Sequence, residues 1–573
     1  MIRTFKQHHL RQTQLLDGQW AFAADPGRVG HERGWALSFP ETHQSMFVPS
    51  CWNNEWELYD YEGVAWYHTP FTLNQGGPIR LLFHGVMGDA EIYVDGQLTG
   101  SHYGGFTAFE VVIPGLAAGV HQLVVRTDNQ HTHQTIPLER VDWFHYGGII
   151  RSVELQELPD VYLDKWKIGY DLNIQGRNAN VKVTGLLQSL GQHEAHVPLA
   201  LSCNQERVEA CHYVVPAGGT TEISFEFQMD DVRLWELDDP NLYYFQVSTG
   251  QDDWIERTGF RKVEVKDRKV LLNGEAVYFK GVNRHEEHPE WGFAFPPKLM
   301  KKDLDITIHM GCNAVRGSHY PNSQYWLDLL DEHGMIFWSE IPLWQYQTSH
   351  MTDSVVQQRA VHMLEEMIEE SYHHPSILFW SVNNECATET EEGLAFNRRL
   401  VQRVRALDES RLVTFATDRP LSDITLSLFD VIGINQYFGW YGGKVEQFEA
   451  FLQEYKAYAE KMASAEKPVI MAEFGGAGIF GDVGWEENRM FSEDYQSAIL
   501  ESALGIFRND EQVCGTFIWQ FSDVRSDTLR FRDRARGFNN KGIVNEYRKP
   551  KLAYRTVKRI YDSWEAGEKE IEA

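Results

Sequence analysis

The chain has 573 residues with 43% hydrophobic and 13% aromatic content, enough for two to four folded domains and unlike a disordered protein. Its formal net charge of −29 argues against nucleic-acid binding, because phosphates would meet a mostly acidic surface. No polybasic segment points to a membrane surface. We therefore expect neither nucleic acid nor membrane as a partner.

Six cysteines without a C-x-x-C pair predict reduced, mostly buried thiols. The first residues lack the apolar core of a signal peptide, and nowhere do about 18 apolar residues run together. These features favour a cytoplasmic location.

Residues 1–160 alternate apolar and polar side chains between turn signals, as in residues 90–94 before the hairpin pair Asp95-Gly96. This pattern predicts an all-β sandwich. A second β-rich stretch over residues 161–265, with strands predicted at 180–184, 222–227 and 243–247, has the length of an immunoglobulin-like domain.

Residues 266–573 change to strands that alternate with helical segments, such as residues 323–333 before Gly334 and residues 360–373. Eight strand-helix units in this length predict a TIM barrel. The predicted strands begin near Val277, Asn313, Met335, Ile377, Leu412, Val431, Val469 and Thr516.

Glu385 and Glu473 each stand where a predicted barrel strand ends, after apolar residues 377–382 and 469–472. Barrel enzymes keep their chemistry at the carboxyl ends of their strands. A single glutamate there could be a helix cap or half of a surface ion pair. Two such carboxyl groups suit the acid and nucleophile that cleave a glycosidic bond.

Several motifs resemble glycoside hydrolase family 2, which includes β-galactosidases and β-glucuronidases, over essentially the whole chain. The motifs are GVMGDA at 85–90, GGF at 104–106, LW at 234–235, PNLY at 240–243, GFR at 259–261 and FKGVNRHE at 279–286. The resemblance implies a jelly-roll sandwich, an immunoglobulin-like sandwich and a catalytic (β/α)8 barrel.

The same resemblance implies roles for the residues at the strand ends. Glu385 would be the general acid/base, and Glu473 the nucleophile of a covalent, retaining mechanism, which needs carboxyl groups about 5–5.5 Å apart. Asn384 would hydrogen-bond the sugar 2-hydroxyl. Cys386 departs from the family pattern, because many relatives carry proline after the acid glutamate.

Asn539 and Lys541 resemble the N-x-K motif of bacterial β-glucuronidases, twenty residues beyond Trp519. An amide and an ammonium can both donate to a sugar carboxylate. The alternative is an ordinary loop asparagine and a solvated lysine.

Further residues carried over from the family are Asp142 and His319 at the sugar hydroxyls, and Tyr437, Tyr441 and Trp519 in the pocket wall. For the three aromatic residues, packing in the core is the alternative. An arginine that assists carboxylate binding in relatives could here be Arg532, Arg534 or Arg536.

Two other motifs are rejected. The G-x-G-x-x-G at 476–481 precedes no packed helix, and the histidines of His285-Glu286-Glu287-His288 are three apart instead of the four that a helical zinc motif requires. We predict no metal and no cofactor.

The sequence therefore predicts a retaining exo-β-glucuronidase that removes terminal β-D-glucuronic acid from conjugates or oligosaccharides. The alternatives are a β-galacturonidase or β-galactosidase on the same fold, or a carbohydrate-binding protein without catalysis. No residue identified separates glucuronide from galacturonide. Family relatives are commonly oligomeric, so a homodimer or homotetramer is expected, and residues 345–358 should shape access to the site.

Overall fold

The structure of the protein, a computed structural model, describes residues 2–484, 489–527 and 534–572. Two antiparallel β-sandwiches precede a closed parallel barrel, as the sequence predicts. No helix among these residues has both the length and the apolar character needed to cross a bilayer. All six cysteines are free thiols, and all but Cys211 are buried.

The first sandwich packs a four-stranded sheet of order β1-β10-β5-β8 on a six-stranded sheet of order β3-β2-β4-β9-β6-β7. Leu81 and Leu155 of one sheet share a buried cluster with Trp20 and Ile92 of the other. The strands are β1 (Gln12–Leu15), β2 (Gly18–Ala24), β3 (Gln44–Val48), β4 (Val64–Leu73), β5 (Gly77–Phe83), β6 (Asp89–Val94), β7 (Gln97–Tyr103), β8 (Phe109–Leu116), β9 (Gly119–Asp128) and β10 (Val153–Glu157). The predicted hairpin pair Asp95-Gly96 joins β6 to β7, with both residues at positive φ.

The second sandwich has seven strands, in sheets β11-β12-β15 and β14-β13-β16-β17. They are β11 (Val161–Asn173), β12 (Asn178–Ser189), β13 (Ala195–Cys203), β14 (Glu206–Val215), β15 (Thr220–Met229), β16 (Tyr243–Ser248) and β17 (Asp253–Thr258). Ala179, Val181 and Val183 of β12 are buried while the residues between them are exposed, which gives the sandwich its core face. The three strands predicted for this region lie within β12, β15 and β16.

A small sheet of β18 (Val263–Lys266), β19 (Lys269–Leu272) and β20 (Glu275–Val277) precedes the barrel. Val270 and Leu272 share a buried cluster with Phe279 and Ile336, which begin barrel strands. This sheet therefore covers the amino-terminal end of the barrel, and the carboxyl end is left for the functional groups.

Eight parallel strands close the barrel in chain order, and each begins within three residues of its predicted start. The strands are β21 (Phe279–Asn283), β22 (Ala314–Arg316), β23 (Ile336–Glu340), β24 (Ile377–Asn384), β25 (Leu412–Thr417), β26 (Ile432–Asn435), β27 (Val469–Glu473) and β28 (Val513–Ile518). After them, β29 (Val524–Arg525) pairs with β30 (Phe538–Asn539).

The barrel helices are α1 (Pro297–His309), α2 (Gln324–Glu332), α3 (Thr348–Met351), α4 (Ser354–Ser371), α5 (Glu391–Leu407), α6 (Gln447–Lys461), α7 (Glu493–Arg508) and α8 (Leu552–Glu572). Ser323 caps α2 by accepting a hydrogen bond from the Trp326 amide, and Gly334 follows at positive φ.

The prediction of eight strand-helix units is wrong at one place. Between β25 and β26 the fully described chain forms only a 3₁₀ turn, Leu426–Leu428, because a short loop with Pro420 offers no amphipathic helical stretch.

Candidate active site

Seven barrel strands end on a buried polar side chain at the carboxyl end of the barrel, and β25 contributes Thr417. The other six side chains are charged groups or amides and form the strand-end ring, which consists of Asn283, Arg316, Glu340, Asn384, Asn435 and Glu473. The earlier residues of these strands are mostly apolar and fill the barrel, and the polar residue that ends each strand lies at its mouth. The ring therefore concentrates charge at one place on an otherwise apolar core.

Arg316 connects most of the ring through its guanidinium. Its Nη1 donates to Glu473 Oε1 at 2.9 Å and to Asn283 Oδ1 at 3.0 Å. Its Nη2 donates to Glu340 Oε1 at 2.9 Å and to Asn384 Oδ1 at 2.8 Å. Burial opposes ionisation of Glu340, but Arg316 and His319 outweigh it and hold the pKa of Glu340 below its usual value. Most of the Arg316 charge is therefore already balanced by Glu340.

Glu473 accepts two hydrogen bonds, one from Arg316 and one from the Tyr437 hydroxyl to Oε2 at 2.7 Å. Burial raises the pKa of Glu473, and the nearby Glu385 carboxylate acts in the same direction. Arg316 and Tyr437 oppose this rise because they stabilise the anion.

Glu385 is the first residue after β24 and has a left-handed backbone with φ of 53°. The Asn435 amide donates to its Oε1 at 2.8 Å and the Gln345 amide donates to its Oε2 at 2.9 Å. Burial raises the pKa of Glu385, and the charge of Asp418 adds to the rise.

The donors around the two glutamates indicate which one keeps a proton. Both pKa values are raised, so the pair titrates together and holds one proton across a range of pH. Glu473 faces a guanidinium, whose charge-assisted hydrogen bond favours the anion, whereas Glu385 faces two neutral amides. This arrangement favours a protonated Glu385 beside an ionised Glu473.

Asn384 has one end of its amide occupied and one end available. Its Oδ1 accepts from Arg316 and from Asn435 at 3.0 Å, which fixes the orientation of the group. Its Nδ2 is buried and has no hydrogen-bond partner among the described residues. An unpaired buried donor beside two carboxyl groups suits a ligand hydroxyl.

His319 and Trp519 stack with ring centroids 5.1 Å apart and an interplanar angle of 18°. Burial lowers the pKa of His319 to about 4 against the opposing effect of Glu340, whose Oε1 lies 2.8 Å from Nδ1. His319 Nε2 lies 3.7 Å from Glu473 Oε1. The site thus has a neutral imidazole and a flat indole beside Glu473.

A second group of residues, the loop corner, consists of Asp142, Tyr441, Arg534, Asn539 and Lys541. Lys541 is 1% exposed, and its ammonium donates to Tyr441 Oη at 2.9 Å. Within the described ranges, no carboxylate lies at ion-pair distance from it. Tyr441 itself is 66% exposed and forms the rim.

Asp142 ties the first sandwich to this corner. Its Oδ2 accepts from Arg534 at 2.6 Å and from the Asn539 amide at 2.9 Å. Asn539 Oδ1 accepts from the Lys541 backbone amide at 3.3 Å, so it orients the lysine. One of the two N–H groups of the Asn539 amide is therefore used on Asp142 and the other remains for a ligand.

All ten predicted site residues lie in one connected set. Tyr437 joins the ring to the corner, because it donates to Glu473 and packs against Tyr441 with centroids 5.3 Å apart. Of the three candidate arginines, Arg534 lies in the corner and Arg536 pairs with Glu546 at 3.0 Å. Arg532 lies outside the described residues.

Sequence reasoning missed Arg316, Glu340, Asn435 and Gln345. The first three carry a readable signal, since each is the polar residue that ends a barrel strand, as Glu473 does. Gln345 has no such signal, because it lies in the loop that folds from β23 towards Glu385.

Three family models match consecutive parts of the chain. They describe the glycosyl hydrolases family 2 sugar binding domain at residues 13–159, glycosyl hydrolases family 2 at residues 161–261, and the glycosyl hydrolases family 2 TIM barrel domain at residues 263–565.

Similar proteins span the full length of the chain. A β-glucuronidase of Paenibacillus borealis is 28% identical over 96% of both chains. The structure of an Eisenbergiella tayi β-galacturonidase bound to galacturonate is 32% identical, with a TM-score of 0.91 over 98% of this chain and 99% of that one. A Ruminococcus gnavus β-glucuronidase structure is 28% identical, with a TM-score of 0.85 over 97% and 98%.

Proposed function

Because the chain belongs to glycosyl hydrolases family 2 and is a glycoside hydrolase, we propose that it is a retaining exo-β-uronidase. It would remove a terminal β-linked hexuronic acid from a conjugate or an oligosaccharide. β-D-Glucuronide is the first candidate substrate. The observation that carries the proposal is the buried Lys541 ammonium in the loop corner, near the two glutamates.

The carboxylate of the sugar would bind in the loop corner. Lys541 is surrounded by the Tyr437, Trp440 and Tyr441 rings, at 6.0, 5.6 and 5.0 Å from their centroids. Such apolar walls strengthen the attraction between a cation and an anion that enters. The free N–H of Asn539 would donate to the same carboxylate, while Arg534, held by Asp142, adds positive potential.

The two glutamates would then act on the anomeric carbon. Glu473, ionised beside Arg316, would attack this carbon, while Glu385 donates its proton to the leaving oxygen. Glu385 would next remove a proton from the water that hydrolyses the glycosyl intermediate. The raised pKa of Glu385 supports the acid role, since an acid must hold its proton near the working pH.

The remaining polar groups would hold the sugar hydroxyls. The unpaired Nδ2 of Asn384 suits the 2-hydroxyl, and a hydrogen bond there strengthens as charge develops in the transition state. His319 and Asp142 are the candidates for the other hydroxyls. Trp519, stacked on His319, gives the sugar an apolar face to pack against.

β-Galacturonide is the second candidate substrate. The similarity to the Eisenbergiella tayi enzyme bound to galacturonate, at 32% identity, favours it. The two uronic acids differ only in the configuration at C4, and the loop corner would hold the carboxylate of either. A neutral hexose would leave Lys541 desolvated and without an anion.

A panel of chromogenic β-glycosides tests this proposal. We expect kcat/KM for glucuronide or galacturonide to exceed that for glucoside and galactoside, and NMR of the first product to give the β-anomer. The better uronide of the two identifies the substrate. Equal or faster cleavage of the neutral sugars would contradict carboxylate recognition, and an α-anomer would contradict retention.

A further inference from the structure

A His-Glu-His cluster lies outside the active site, where the first sandwich meets the barrel. His102 of β7 places Nε2 2.8 Å from Glu366 Oε1, and His362 of α4 places Nε2 3.0 Å from the same oxygen. These three atoms all lie within 4.8 Å of one another. Two domains therefore bring two imidazole nitrogens and one carboxylate oxygen to a single point.

The surroundings hold this cluster in a fixed geometry. His362 and Glu366 are four residues apart on α4, so they share one face of the helix. The His102 ring stacks on Phe109 with centroids 4.2 Å apart and an interplanar angle of 9°. Thr107 donates to Glu366 Oε2 at 2.7 Å, which leaves Oε1 to face both histidines.

A second cluster of similar composition shows what sets this one apart. Asp328, Asp331 and His374 also lie within 4.8 Å of one another, but they are buried, and Arg3 and Arg257 supply Asp328 with its counter-charge. The Asp328 carboxylate of that second cluster is therefore already paired with two arginines. Glu366, in the part of the chain that the structure describes, has no lysine or arginine at ion-pair distance. The His362 side chain is 55% exposed, which gives an ion a path to Glu366.

We propose that His102, His362 and Glu366 form a binding site for a divalent transition-metal ion, with Zn²⁺ as the representative ion. Imidazole nitrogen with one carboxylate is a donor set for zinc, cobalt or nickel, whereas calcium and magnesium prefer oxygen alone. Bonds of about 2.0–2.1 Å in a tetrahedron put ligand atoms roughly 3.3 Å apart. The two histidine nitrogens lie slightly closer than that to Glu366 Oε1 and within 4.8 Å of each other, so small side-chain movements would bring the three atoms to that spacing.

Binding would bridge the first sandwich to α4 of the barrel, with water in the fourth position. Ligation uses the Nε2 lone pair of both histidines, so each neutral ring carries its single proton on Nδ1 when the metal is bound. His102 Nδ1 is buried without a hydrogen-bond partner among the described residues, and it would then carry the ring proton. That cost limits the affinity.

The test uses untagged, full-length protein treated with EDTA and dialysed. Titration calorimetry with ZnCl2 should give one ion bound per chain and a higher Tm, because a ligand that binds only the folded state stabilises it. CoCl2 should give visible absorption bands of a tetrahedral site. His362→Ala removes a ligand that is half exposed, so the variant should fold and lose at least tenfold in zinc affinity.

Two further variants distinguish this site from scattered histidines. Thr107→Val leaves all three ligands but removes the hydroxyl that orients Glu366, so we expect zinc affinity to fall roughly 10- to 100-fold. His196→Gln removes a surface histidine of the second sandwich and should change nothing. The proposal is overturned if His362→Ala binds zinc as well as the parent, or if His196→Gln weakens binding as much.

Discussion

The strand-end ring and the loop corner are built in different ways. Neighbouring parallel strands supply every ring residue, so the hydrogen bonds of the barrel fix their spacing. The corner collects Asp142 from the first sandwich, Tyr441 from the loop after β26, and Arg534, Asn539 and Lys541 from the segment after β28. In the proposed function, the barrel therefore positions the groups for bond cleavage, and the loops position the groups for recognition.

The two regions also differ in how their charge is balanced. Arg316 in the ring pairs with both Glu340 and Glu473, so these two carboxyl groups and the adjacent Glu385 outnumber the cations, and Glu385 keeps a proton. Lys541 in the corner has a hydroxyl for a partner, and its charge is left for an anion from outside. Bond cleavage and substrate specificity should therefore be separable by mutation.

Glu473→Gln should abolish cleavage of every β-glycoside alike. Loss of the proposed nucleophile would remove the covalent route, and we expect kcat/KM to fall roughly 10⁴-fold or more on uronide and neutral substrates. Steady-state kinetics on the glycoside panel measures this, with circular dichroism as the check on folding. A loss confined to uronides would instead place Glu473 among the groups that recognise the sugar carboxylate.

Lys541→Met should act on uronides alone. The methionine keeps the stem among the aromatic rings but leaves a substrate carboxylate unpaired, at a cost of about 1–3 kcal/mol, or roughly 5- to 160-fold in kcat/KM. The ratio of uronide to glucoside cleavage is the measurement. Lys444→Met, which removes an exposed cation from the same loop region as Tyr441, is the control and should leave the ratio unchanged. Equal losses on both sugars would argue against carboxylate binding by Lys541.

The same division explains how much of the molecule the sequence predicts. Apolar runs of strand length predict all eight barrel strands. A polar residue at the end of such a run, as Glu473 is, predicts a position in the strand-end ring. The corner has no such pattern. Asp142 and Lys541 are about 400 positions apart, and only the resemblance to a family joins them.

Other features depend on tertiary contacts that no local pattern contains. Gln345 reaches Glu385 because its loop folds over the mouth, and the sequence around it predicts nothing more than a loop. The regular alternation of strands and helices in the barrel predicts a helix between β25 and β26. The connecting segment is too short for one and forms only a 3₁₀ turn.

Tyr437→Phe should shift the acidic limb of the pH profile. In the proposed mechanism the rate should fall at low pH as Glu473 takes up a proton, and the Tyr437 hydroxyl stabilises the ionised form. Its removal raises the pKa of Glu473 further, so the acidic limb of kcat/KM should move to higher pH while the basic limb stays. The variant should lose roughly tenfold in rate near neutral pH, as expected for one hydrogen bond to a charged group. An unchanged acidic limb would mean that another group controls it.

Asp418→Asn should give the smallest effect on the pH profile of kcat/KM, and it should act on the basic limb. Burial raises the pKa of Glu385 and the Asp418 charge raises it further, so removal of that charge lowers the pKa of Glu385. Because Glu385 must be protonated to act as the acid, the basic limb of kcat/KM should move to lower pH. Asp418 is partly exposed and paired with Arg419, so the shift should be less than that of Tyr437→Phe and should shrink at high salt.

Glu389→Gln is the matched control, since Glu389 contacts the same arginine at 2.8 Å and is not among the charges that raise the pKa of Glu385. If Glu389→Gln moved the basic limb as far as Asp418→Asn, the effect would come from the freed Arg419. If neither variant moved it, burial alone would keep the proton on Glu385, and the ring would be insulated from charges on the surrounding loops.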